Sequence, residues 1–205
     1  MRVESVGSNV VCLTAMQPTA LDLAALETAG QLGRPATQVV NPQLALADYT
    51  RLRVIVTPDG RAQADFNSNV SRDMCRRTAT ELVRQASIVG VRGVGFNGVA
   101  KLECEPDEQP LHRFFNPEAV QHLLGTEPER SGAKFMFSAD DRARLTLDIT
   151  PHEDEPTVWI ASLNRHYAGP ADDDVYQRGI SWLAALDSEL RTMLRRLPEG
   201  ASVGS

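Results

Sequence analysis

The spacing of apolar residues changes repeatedly along the chain, and each change marks an element. Residues 9–16 (NVVCLTAM) form a short apolar run that predicts a first strand. Thr19 heads TALDLAALETAG, with Asp22 three residues on and Gly30 as a stop, which predicts a helix. QLGRPATQVV reads as a loop. Leu52, Val54 and Val56 alternate with Arg53, Ile55 and Thr57, so this strand is apolar on nearly both faces and belongs inside a sheet. Pro58-Asp59-Gly60 supplies a hairpin turn. The returning segment, RAQADF, is apolar on one face only, through Ala62, Ala64 and Phe66.

Ser71 then caps a predicted helix over 71–87, whose apolar stripe is Cys75, Ala79, Leu82, Val83 and Ala86. IVGVRGVGFNGVAKLE is β-like despite glycines at 90, 93, 95 and 98. Residues 104–115, rich in proline and acid, predict a loop. KFMFS and RARLTLDI form a second hairpin, and TVWIASLNRHYAG a further strand. A long final helix follows Asp172-Asp173-Asp174. Its face holds Val175, Gly179, Trp182, Leu183, Leu186, Leu190, Met193, Leu194 and Leu197, and Pro198 and Gly200 end it.

One pattern occurs twice. Residues 41–66 and 116–149 each open on Asn-Pro, which suits a helix N-cap followed by proline at the first helical position. Each then reaches an apolar run, a polar turn and a second strand. The predicted class is α+β: a mainly antiparallel sheet from two related hairpin-containing halves, covered by amphipathic helices. The expected organisation is one domain over 1–205, with internal halves at 41–103 and 116–197.

Composition narrows the partners. Apolar residues make up 42% and charged residues 23%, as expected of a globular chain. The net charge of −6 and 5% aromatic content argue against nucleic acid as a partner. Cys12, Cys75 and Cys104 are far apart and show no zinc-ligand spacing, which suits a cytoplasm. No apolar run approaches membrane-spanning length, so no membrane insertion is expected.

The candidate chemistry is sparse. Gly93-Val94-Gly95-Phe96-Asn97-Gly98 matches GxGxxG, but prolines follow where a phosphate-binding helix should begin. The better reading is a strand whose glycines admit a bulky neighbour, so that alanine at Gly95 or Gly98 would crowd it. Cys75 lies beside Arg76 and Arg77, a setting that can activate a thiol, yet it falls on the apolar stripe. Arg72, Arg76, Arg77 and Arg84 offer a basic helix face. His152, the carboxylates after it and Asp172–Asp174 could meet His166 around a cation, but solvated turns explain them better. No catalytic, cofactor-binding or metal-binding residue is assigned.

The remaining candidates are Asn97, Asn164, Arg165, His166 and Tyr167, polar groups at the exits of apolar runs that could line a cleft or an interface. The expected function is non-catalytic: a structural or protein–protein interaction protein, a subunit of a larger assembly such as a virion or secretion machine. Its expected partner is another protein or itself. The alternative is a small-molecule-binding protein or enzyme with a cleft near Asn97, Asn164, Arg165 and His166.

Overall fold

Alternation of buried and exposed side chains builds most of the molecule. The computed structural model describes residues 2–104, 132–138, 143–155, 157–169, 173–186, 188–190 and 192. Its strands are β1 (Arg2–Thr14), β2 (Thr37–Asn41), β3 (Leu44–Asp48), β4 (Leu52–Thr57), β5 (Arg61–Asn67), β6 (Val91–Glu103), β7 (Ala133–Ser138), β8 (Arg144–Pro151) and β9 (Val158–Ala168). They form one open sheet in the order β2-β3-β4-β5-β1-β6-β9-β8-β7. Every pairing is antiparallel. With helices α1 (Leu23–Gly30), α2 (Arg72–Ile88) and α3 (Asp173–Ala184), the class is α+β, as the alternation predicts.

Because opposed residues share a face, the register sorts the sheet into two sides. One side carries Val10, Ala64, Val54, Phe96, Leu163 and Leu147, all essentially without solvent contact. The described helices pack there. Thr14, at the end of β1, donates its hydroxyl to the Ala86 carbonyl of α2 at 3.1 Å. The Phe96 ring lies where a side chain at Gly179 of α3 would go, and Leu186 sits where a Cβ on Gly98 would fall. Gln85 of α2 grips Asp22 at the start of α1 by both backbone groups: its Oε1 accepts the Asp22 N–H at 2.9 Å, and its Nε2 donates to the Asp22 carbonyl at 3.0 Å.

The hairpin turn at Pro58-Asp59-Gly60 and the cap of α2 stand as expected. Ser71 accepts from the Met74 N–H at 3.2 Å, and the predicted α2 stripe is buried. Elsewhere the structure corrects the reading. Asn41-Pro42 does not open a helix; it is the turn of the β2–β3 hairpin. Asn41 Oδ1 accepts the N–H groups of Gln43 at 2.8 Å and Leu44 at 3.0 Å, so the side chain that could cap a helix holds a turn instead. The loop expected before it contains β2. The first helix is capped by Asp22, which accepts from Ala25 N–H at 2.9 Å, while Pro18–Ala20 forms a separate 3-10 turn.

The final helix is shorter than its apolar face suggests. α3 ends at Ala184, and a turn at Ala185 precedes further helical residues at 186, 188–190 and 192, with Leu186 and Leu190 buried. The second Asn-Pro segment, at 116–124, and Met193, Leu194 and Leu197 lie outside the described residues.

Candidate functional site

The two sides of the sheet divide the five candidate residues. On β6, the residues 94, 96 and 98 face the helices, so Asn97 faces away from them. The pairing Asn97↔Asn164 puts Asn164 beside it, and His166, opposite Gly95, lies on the same side. Arg165 and Tyr167 point the other way, opposite Phe96 and Val94. Arg165 Nε donates to the Tyr167 hydroxyl at 2.8 Å, and its guanidinium stacks 5.8 Å from the ring centres of both Tyr167 and Trp182. Tyr167 in turn meets Phe96 edge-on, with centroids 6.0 Å apart. Arg165 and Tyr167 thus bind α3 to the sheet and do not share a cleft with the other three.

The side away from the helices has a polar centre. Asn9, Asn97 and Asn164 stand directly opposite one another on β1, β6 and β9. Asn97 Nδ2 donates to Asn9 Oδ1 at 2.6 Å, and Asn164 Nδ2 donates to Asn97 Oδ1. The amides therefore run in one direction across three strands. Asp65 continues the row on one side of it and Thr146 on the other. Farther out, Arg53 is paired with Asp48 at 2.9 Å.

Apolar side chains flank this row. Val11 and Leu13 of β1, Leu46 of β3, Ile55 of β4, Val39 of β2 and Met136 of β7 all share the side, as their registers require. Leu13 is 42% exposed and Met136 68% exposed. Beside them β6 contributes only Gly93 and Gly95, so the surface dips there. His166 leans over the dip: a Cβ on Gly93 would lie 3.3 Å from its Cε1. Such a surface offers amide donors and acceptors between apolar contacts. Gly95 and Arg144, directly opposite His166, supply neither a carboxylate nor a nucleophile to work with the imidazole.

The other chemical candidates are accounted for locally. The GxGxxG run lies within β6 and does not open a helix. The Cys75 and Cys12 thiols are both pushed up to about 12 by burial, and only a bond with Ser8 opposes this at Cys75. Three of the four α2 arginines pair on their own helix: Arg76 and Arg77 with Asp73 at 3.1 and 2.9 Å, and Arg84 with Glu81 at 2.6 Å. His152 turns back on Glu155 at 3.8 Å, next to a shallow 550 Å³ cleft at the β8–β9 turn. His166 sits at the far end of β9, about 26 Å away at the usual strand rise, so the two histidines cannot share an ion. No cluster of three metal-ligating side chains occurs among the described residues.

Asn9, Leu13 and Met136 were not candidates in the sequence. Asn9 stands out only as an amide within an apolar run, and its partners become visible only when the register is known. Among the described residues no helix is long and apolar enough to cross a membrane. No protein-family model and no curated protein matches the chain.

Proposed function

We propose that the chain is a non-catalytic interaction protein, a subunit of a larger assembly, and that its working surface is the side of the sheet away from the described helices. One observation carries this reading: the half-buried amide row Asn9–Asn97–Asn164 lies among apolar side chains that include exposed Leu13 and Met136. A surface of amides set among apolar side chains suits a protein partner, which offers both backbone hydrogen bonds and apolar contact. The alternative, a small-molecule cleft at Asn97, Asn164, Arg165 and His166, is the less favoured reading because Arg165 faces the side opposite to the other three. Three buried cysteines outside any disulfide support a reducing cytoplasm as the place of assembly.

We further infer that the chain is one domain of two related halves. The support is the strand order, since the Asn41-Pro42 turn removes the first helix from the repeat. β1 pairs with β5, followed outward by β4 and β3; β6 pairs with β9, followed outward by β8 and β7. In this reading the equivalent halves begin at β1 and β6, earlier than the Asn-Pro segments suggest.

Affinity purification of the chain from its native cells, beside a Leu13→Glu variant, tests the function. The expected result is a protein partner in fixed ratio to the parent, lost from a variant that melts at the same temperature. A partner retained by the variant, or a chain stabilised against heat by a small metabolite instead, would overturn the reading.

A further inference from the structure

We propose that β2 is a self-complementary sheet edge through which two copies of this chain join, antiparallel and centred on Val39. The proposal rests on the association reading above and deepens it by naming a partner, a second copy, and a place other than the side away from the described helices.

β2 is terminal in the sheet, and among the described residues it pairs only with β3. All five of its residues are exposed. An edge strand directs alternate N–H and C=O groups away from its neighbour, ready to accept another strand. Edges are usually protected by lysine, by proline or by a bulge. β2 reads Thr-Gln-Val-Val-Asn and carries no charge, and its register with β3 runs without a shift. Pro42 lies just beyond it, in the turn.

The sequence of β2 fits itself. Antiparallel pairing about Val39 sets Val39 against Val39 of the second copy, Gln38 against Val40, and Thr37 against Asn41. β-Branched pairs of this kind favour a sheet. Thr37, Val39 and Asn41 share one face, so the polar pair brackets the valine contact on both sides. Asn41 Oδ1 is occupied by the turn, which leaves its Nδ2 as a donor for the Thr37 hydroxyl. Asp48, opposite Thr37 on β3, is held by Arg53, so the strongly acidic chain does not repel itself here. A twofold axis midway between the two Val39 residues and perpendicular to the sheet keeps the described helices of both copies on one side. The two sides away from the described helices then become one continuous surface.

Val39→Cys tests the pairing. Opposed residues at a non-hydrogen-bonded position have Cα atoms about 4.5 Å apart, within reach of a disulfide. Cys12, Cys75 and Cys104 are buried and do not compete. Mild oxidation should therefore link two copies through position 39, whereas Gln38→Cys should not link. Sedimentation equilibrium supplies the second measurement. Gln38→Lys should weaken the dimer roughly tenfold, since it disturbs two symmetric contacts. Adding Val40→Glu should restore it, because each new ammonium then faces a carboxylate of the other copy. Unchanged melting curves would show that the exposed substitutions spare the fold. A monomer at every concentration, indifference to Gln38→Lys, or failure of the second substitution to rescue would overturn the proposal. A monomer that still binds a different protein through Leu13 would overturn the β2 pairing and leave the reading of the side that carries Leu13 intact.

Discussion

Gly95 and Gly98 show how two glycines, three positions apart in one strand, can meet different demands. Gly98 faces the helices, and any side chain there collides with Leu186; Gly95 faces away, with its nearest neighbours 3.7–3.8 Å from a new Cβ. The sequence suggests that both would crowd the strand. The register shows that only Gly98 does. Gly98→Ala should therefore lower the melting temperature by several degrees, in the range of about 1–3 kcal/mol for overpacking, while Gly95→Ala should fold normally. Equal melting temperatures for the two would contradict the register. Glu81 supplies a pH test. The Arg84 guanidinium bonds both of its carboxylate oxygens, at 2.8 and 2.6 Å. Together with the Gln85 amide, this holds Glu81 below the ordinary carboxylate range against the opposing effect of burial. A folded value below the unfolded one stabilises the protein above the unfolded value, and that contribution fades as pH falls through the folded one. Glu81→Gln should thus melt slightly lower at neutral pH, with the gap closing below about pH 4. A gap that widens in acid would reverse the assignment.

At the scale of elements, legibility followed how many meanings a local signal has. Ser71 before an apolar stripe at helical spacing has one meaning, and α2 lies where it points. Pro58-Asp59-Gly60 between two alternating runs is equally plain, and Gly60 takes the left-handed φ of 85° that the turn requires. Asn41-Pro42 has two meanings, because the same oxygen that caps a helix can close a turn. Leu44, Ala45, Leu46 and Ala47 favour helix locally, but pairing to β4 buries Ala45 and Ala47 and decides for a strand. The last helix has the right face and the wrong length, since Ala185 interrupts it while the apolar spacing continues. Leu186 and Leu190 beyond that turn are still buried, at 5% and 2% exposure. Leu186→Ala or Leu190→Ala should each cost about 2–5 kcal/mol and lower the melting temperature by about 5 °C or more. No change in either variant would show that this segment does not close the core.

The molecule as a whole was least legible, because strand order and register are set by contacts far apart in sequence. Alternation along β9 separates Asn164 and His166 from Arg165 and Tyr167, but it does not say which pair meets the helices. That follows from Trp182 and Gly98, which come from other elements. Asn9 joins Asn97 across 88 positions of chain, and neither segment alone indicates it. The central claim is that one side of the sheet is core and the other is working surface. Hydroxyl-radical footprinting of the chain, purified and within its native assembly, tests it most directly. The account predicts that Leu13 and Met136 lose reactivity in the assembly. Ile88, 72% exposed at the end of α2, should keep its own. Leu13 and Met136 that stay reactive while Ile88 becomes protected would place the working surface on the helices and contradict the account.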